Sequence, residues 1–408
     1  MPSRRGFLAA AAGGALSGCG ISLEQGLWNP CRSQLPQRLA SHALVQAAWQ
    51  GIDARQMWDA HAHLLGTGDS GSGIVIHSAM QSLLSPAQFA RRLFFLNAGC
   101  VHEAPGNVDR SYLERIHNLV DGLRPGVKLL LFAFDRAYRE DGRPDPESAL
   151  YVPDRYARDV ARAHPDYFEW AASIHPYRAD CVEALEWAAA NGARAVKWLP
   201  AAMGMDPASP RCERFYAALA RLSLPLICHA GEERAVLGRD AQAFGNPLRL
   251  RRALSQGVRV VVAHCASMGQ DRDLDRGPEG PVAESFELFA RMMDEPRYAG
   301  LLFGDIAAMT QKNRAVPALA RVIGREDWHP RLLNGSDYPL PGVMPIFSVD
   351  ELVSIGLLQA AAAPVLKEIR SYNVLLFDFV LKRTLRSGGK AFAPRVFETR
   401  GFFERLKG

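Results

Sequence analysis

The stretch Asp59-Ala60-His61-Ala62-His63 places two histidines one residue apart at the end of a β-like run. Side chains two apart on a strand share a face, so both imidazoles can reach one cation as neutral ligands. Three later apolar runs also end in a histidine or an aspartate: Leu226-Ile227-Cys228-His229, Val261-Val262-Ala263-His264 and Asn334-Gly335-Ser336-Asp337. His229 and His264 stand about one strand-helix unit apart, and Asp337 follows about two units later. Packing favours apolar side chains at such positions, so four histidines and an aspartate repeated at strand ends point to a divalent-metal site.

Residues at strand ends need a sheet that gathers them. Eight β-like runs recur after residue 55: Gln56–Leu64, Val127–Phe134, Phe168–His175, Ala193–Leu199, Pro225–His229, Val258–His264, Gly300–Ile306 and Arg331–Ser336. Helix-like segments alternate with them, among them Tyr112–Gly122, Pro153–His164, Cys181–Asn191, Cys212–Leu222, Asn246–Gln256, Pro281–Asp294 and Val316–Ile323. The alternation predicts an α/β fold, a (β/α)8 TIM barrel in one domain over residues 51–408, with an insertion after the first strand and a helical C-terminal extension. An open doubly wound sheet lacks support, because no GxGxxG turn follows the first strand. The Gly-rich run from Gly66 to Gly73 has no P-loop lysine and reads as a flexible loop, and an extra helix is expected around Ser85–Phe95.

The 408 residues are 48% hydrophobic and 22% charged, which excludes a disordered or fibrous chain. A net charge of +5 without a long Lys/Arg track gives no sign of nucleic-acid binding. Arg4-Arg5 followed by a small apolar run and Leu16-Ser17-Gly18-Cys19 resembles a Tat-type lipoprotein signal over residues 1–18. It implies lipid on Cys19, a tether over residues 19–50, and export to the bacterial cell envelope, anchored to a membrane without a spanning helix. The remaining six cysteines are scattered; most are expected as small buried residues, and any disulfide pairing is unspecified. A homo-oligomer is left open.

Over residues 56–342 these motifs resemble the amidohydrolase superfamily, closest to its amidohydrolase-related (amidohydrolase-2) branch of metal-dependent hydrolases. The matching segments are Asp59–His63, His175-Pro176-Tyr177, Val196-Lys197-Trp198-Leu199-Pro200, His229-Ala230-Gly231-Glu232, His264-Cys265-Ala266 and Gly335-Ser336-Asp337-Tyr338-Pro339. The resemblance implies His61, His63, His229, His264 and Asp337 as metal ligands, and one or two divalent ions, zinc first among them. Lys197 either bridges two metals as a carboxylated lysine or pairs with a carboxylate beside a single ion. The implied reaction is attack of a metal-activated water on a C–N or C–O bond of a small molecule, an amide, lactone or ester. Asp337 acts as general acid/base, and His264 or His229 ligates the metal or steadies the oxyanion. His175, Arg136 and Arg178 are candidates for substrate contact, with Glu232 and Asp305 as supporting residues at the mouth. Strand parity turns Cys228 and Cys265 outward. The same branch resembles nonoxidative decarboxylases and hydratases, and a non-catalytic ligand-binding lipoprotein is the reading from outside enzymology.

Overall fold

The computed structural model describes residues 27–404 apart from 102, 103, 105 and 237–240, and all but the side chain of residue 315. The twin arginines, the signal and Cys19 lie outside the described residues. Eight parallel strands occupy the predicted runs: β1 (Trp58–His63), β2 (Lys128–Phe132), β3 (Phe168–Ala171), β4 (Val196–Trp198), β5 (Leu226–His229), β6 (Val260–Ala263), β7 (Leu302–Asp305) and β8 (Leu332–Leu333). Ladders join β1–β2–β3 and β4–β5–β6–β7–β8. Backbone hydrogen bonds cross the two remaining seams. Between β3 and β4, Lys197 N–H donates to Ala172 O at 2.7 Å and Ala172 N–H to Ala195 O at 3.0 Å. Between β8 and β1, Ala60 N–H donates to Asn334 O at 2.9 Å, and Asp337 N–H to His61 O at 2.7 Å. The ring is therefore an eight-stranded α/β barrel, as the alternation of runs implies.

Apolar side chains fill the barrel interior, among them Ala60, Phe132, Ile227, Val261 and Leu333. Its floor is the end of the chain: Phe403 stacks on Trp58 and Phe402 meets Phe303 edge to face, with centroids 6.3 and 4.7 Å apart. The larger core lies between the strands and the outer helices, where Cys228 and Cys265 are buried as expected from parity.

The connection after β1 carries α1 (Pro86–Ala98) before α2 (Val108–Asp121). Its Gly-rich run is not the free loop expected. Asp109 Oδ1 accepts from the Thr67 amide at 2.7 Å, and its Oδ2 accepts from the Ser70 and Ser72 hydroxyls at 2.8 and 2.7 Å. Asp69 in return accepts from the Val108 and Asp109 amides, capping α2. The described part of the expected tether also folds. Short helices Gln37–Ala40 and Ala43–Ala48 bury Leu39 and Val45, and Trp49 packs on Phe379 with centroids 4.3 Å apart. A disulfide joins Cys31 to Cys100, tying this segment to the insertion just beyond α1.

Candidate active site

Strand parity places Lys197 above Ala195, His229 above Ile227 and Asp305 above Phe303 on the inner wall. On β1 parity alone would not suffice. Trp58 and Ala60 face inward, as do His61 and His63, because a bulge shifts the register between Asp59 and Ala62. Asp59 holds that bulge: its Oδ1 accepts from the His61 amide at 3.1 Å and from the Ser336 amide at 2.8 Å. One carboxylate thus couples the His61 backbone to the turn that presents Asp337. Gly335 in that turn has no room for a side chain, since a Cβ would lie 2.5 Å from His61 Cβ. Asp337 and His264 both adopt left-handed backbone conformations, with φ of 61° and 56°. Such conformations cost non-glycine residues energy and cluster where side-chain aim matters.

The donors converge. His63 Nε2 lies 3.0 Å and His61 Nε2 3.4 Å from Asp337 Oδ1, and Lys197 Nζ lies 3.2 Å from His61 Nε2. His264 Nε2 is 3.7 Å from Asp337 Oδ2. Two acceptors behind the rings set the tautomers. His61 Nδ1–H donates to Asp305 Oδ2 at 2.8 Å and His264 Nδ1–H to the Ala307 carbonyl at 2.8 Å, which leaves both Nε2 lone pairs facing inward. His61, His63 and Asp337 offer one ligand atom each within 4.8 Å of one another, as do His61, His264 and Asp305. Neutral imidazole lone pairs gathered around a carboxylate are the donor set a divalent cation satisfies. His229 reaches the same cavity, but its Nε2 lies 3.4 Å from Glu233 Oε2.

Burial and charge oppose each other here. Burial works against charge on Asp337, but His61, His63 and Lys197 face it and hold its carboxyl well below the usual range. Burial lowers Lys197 from its ordinary value, against the pull of Asp305 and Asp337, which makes its amine easier to deprotonate. Asp59 and Asp305 are pushed up to about 6 by burial. Burial also lowers His61, His229 and His264, and takes His175 down to about 3. A histidine with a depressed folded pKa stays neutral while the unfolded chain takes up a proton near pH 6.5, so stability is lost as pH falls through that value. Asp59 and Asp305 act in the opposite sense below about pH 6, and Asp154 and Asp378, pushed up by burial to about 8 and about 7, do so from higher pH. The share of one imidazole is therefore read as a difference: in metal-stripped protein the stability change from pH 7.5 to pH 6 is expected to be less unfavourable in His264→Asn than in the parent, by up to about 1.4 kcal/mol per pH unit. Calorimetry across that range checks it; identical profiles would mean that the ring is not buried neutral.

Three expected substrate contacts are placed elsewhere. His175 is fully buried and uses both ring nitrogens, Nδ1 accepting from the Tyr177 amide and Nε2–H donating to the Met203 carbonyl, at 3.1 Å each. Arg178 is committed to Asp135 at 3.0 Å and Asp180 at 2.8 Å. Arg136 stacks on Tyr151, 4.2 Å from the ring centroid. None of the three lines the cavity over the His/Asp cluster.

That cavity is walled by apolar side chains of the β1 connection, including Ile76, Met80, Phe95 and Leu96. Into it projects an arginine that the sequence did not single out. Arg314 is buried, its Nε–H donates to Gln311 Oε1 at 3.0 Å, and its Nη1 has no hydrogen-bond partner among the described residues. Burial lowers its pKa, while Asp337 and Glu233 favour its charge. An unpaired buried guanidinium nitrogen is costly, and an anionic ligand group would satisfy it.

A family model described as amidohydrolase matches residues 58–345. Among solved structures, an uncharacterized TIM-barrel protein from Bordetella bronchiseptica is 18% identical, with 79% of this chain and 99% of that chain covered and a TM-score of 0.46. The 5-carboxyvanillate decarboxylase from Sphingomonas paucimobilis is 12% identical, with 84% and 98% covered and a TM-score of 0.42. The 4-oxalomesaconate hydratase from Rhodopseudomonas palustris is 15% identical, with 80% and 98% covered and a TM-score of 0.37. No curated protein matches the chain.

Proposed function

The chain belongs to the amidohydrolase family, and from that premise we propose that it is a metal-dependent hydrolase of a C–N or C–O bond in a small organic molecule. The observation behind this reading is the convergence of His61, His63 and Asp337 at the mouth of the barrel, with the His61 tautomer preset by Asp305. These residues would hold a divalent cation, zinc by donor type, with His264 beside them and Lys197 available as a further ligand or a bridge between two ions. Such a cation supplies Lewis acidity and lowers the pKa of water from 15.7 toward about 7. Asp337, kept ionised, accepts the proton of the attacking water and returns it to the leaving group. His264 would ligate through its Nε2 lone pair while Ala307 fixes its ring. Arg314 grips an anionic group of the substrate, and the apolar wall receives its body.

One observation favours a second reading, nonoxidative decarboxylation or hydration: the unpaired Arg314 Nη1 suits a substrate carboxylate close to the cation site. One experiment separates the two. Zinc-loaded protein is incubated in ¹⁸O-labelled water with a panel of apolar carboxylates bearing lactone, amide or ester bonds. Hydrolysis appears as ¹⁸O in a new carboxylate with the lactone, amide or ester bond cleaved, hydration of an unsaturated member of the panel as ¹⁸O in a new hydroxyl with that bond intact, and decarboxylation as loss of carbon dioxide. Either activity is expected to vanish with metal content in the His61→Ala/His63→Ala protein. Turnover that survives complete metal loss would overturn the metal-dependent reading.

We also propose that the protein is exported and lipidated on Cys19, held at the cell envelope with its substrate outside the cytoplasm. Arg4-Arg5 and the Leu16-Ser17-Gly18-Cys19 ending support this reading. The Cys31–Cys100 disulfide suits an oxidising compartment. No helix among the described residues is long and apolar enough to cross a membrane.

A further inference from the structure

The insertion after β1 is built unlike the rest of the molecule. Among the described residues six large apolar side chains are exposed, and three of them, Val75, Leu83 and Leu84, fall within this segment, at 43, 67 and 95%. Helix α1 follows at once. Its Leu93, Phe94 and Phe95 are only half-buried and belong to neither core cluster, whereas half-buried apolar residues of other shell helices, such as Leu113, Val182 and Trp187, pack against the main core. Arg91 and Arg92 stand on the same helix, and between Leu64 and Val101 the only acidic residue is Asp69, already used to cap α2. An apolar, lightly packed, cationic helix behind an exposed leucine pair has the composition of an element that lies in a lipid interface.

The path of the chain selects the occupant. The first described residues run against this element: Trp28 packs on Phe94 with centroids 6.1 Å apart, and the Cys31–Cys100 disulfide fastens the strand of chain just beyond it to the end of the insertion. Cys19 precedes residue 27 by eight positions, so a lipid on Cys19 cannot be farther than about 28 Å from that point even with the chain fully extended. That reach is short enough for a lipid on Cys19 and the exposed leucines to meet one bilayer.

We propose that the segment from Val75 to Leu96 docks on an anionic lipid bilayer, with Leu83 and Leu84 inserted and Arg91 at the headgroups, so that the cavity over the His/Asp cluster opens toward the membrane surface. Ile76, Met80, Phe95 and Leu96 of this same segment wall that cavity, so docking brings its mouth beside the lipid. The inference rests on the envelope location proposed above but not on lipidation itself, since the surface acts without the lipid.

The test uses residues 19–408 with Cys19→Ser, floated with vesicles of phosphatidylglycerol and phosphatidylethanolamine. This protein is expected to bind them, and Leu83→Glu/Leu84→Glu is expected to lower partitioning by about tenfold or more. High salt is expected to weaken binding through loss of the arginine contribution. Unchanged metal content and melting temperature in the double variant show that its fold is intact. Two results overturn the proposal: vesicle binding that is absent, or that is equal in both proteins; and a dimer of the parent that the double variant dissolves, which assigns the leucines to a second copy. Palmitate labelling of the full chain and of Cys19→Ser reads the lipidation separately, and turnover with soluble substrate reads the chemistry separately. Failure of either leaves the vesicle result standing.

Discussion

Asp337→Asn is expected to lower kcat by about 10²–10⁴-fold, the range lost when a positioned general acid/base is removed. Asparagine keeps the volume and one oxygen for the His63 ring, which lies 3.0 Å from Asp337 Oδ1, but it cannot take up a proton. It also removes the one anion among His61, His63 and Lys197, so weaker metal binding is part of the expected result. Assay at saturating zinc, with metal content measured on the same sample, separates the two losses. A loss of rate that persists at full occupancy is the proton-transfer effect. A variant with full occupancy and undiminished kcat would remove Asp337 from the mechanism.

The second large effect is on stability. Helix Val374–Thr384 carries Lys382, whose Nζ donates to Asp378 Oδ2 at 2.7 Å and to the Gly335 carbonyl at 2.6 Å, with side chains 1 and 3% exposed. Lys382→Met strands the Asp378 carboxylate, whose Oδ1 already lacks a partner. Breaking a buried pair from one side typically costs about 3–5 kcal/mol, and replacing both partners by apolar groups costs far less. Denaturant unfolding is therefore expected to show a large loss for Lys382→Met and substantial recovery in Lys382→Met/Asp378→Leu. Equal losses in both would mean that the pair is not the source. Activity should not recover in parallel with stability, because Gly335 lies two residues before Asp337 and its carbonyl has no other fixed partner in the double variant.

The barrel was legible because each strand is a short apolar run bounded by turns, and because the polar residues at the ends of β1, β5 and β6 interrupt those runs where the mouth begins. His61, His63, His229, His264 and Asp337 could be gathered from spacing, and Lys197 only from the family resemblance. Arg314 could not. It stands in an irregular stretch between β7 and the next helix, with neither periodicity nor motif, and only three-dimensional burial distinguishes it from a solvated loop arginine. Arg136 and Arg178 stand apart from the cavity for the converse reason: the Tyr151 ring and the Asp135 and Asp180 carboxylates hold them in the folded loop. The bulge in β1 was hidden because sequence parity assumes an uninterrupted ladder. The folded segment before β1 left a fainter trace, Leu39, Val45 and Trp49 in a polar setting, which a reading as tether passed over.

The seam between β1 and β8 puts a clock on the protein's maturation. His63 and Asp337 are separated by 274 positions, which at about 5–20 residues per second is roughly 15–55 s of synthesis. Throughout that interval one edge of β1 waits for a strand that has not been made, and the ligands it carries lack their carboxylate. The floor comes later still, since Phe402 and Phe403 belong to the last turn described. A nascent chain that has not yet exposed Asp337 therefore cannot offer a cation this arrangement, and a chain cut short before residue 337 is without the site however well its first half has folded.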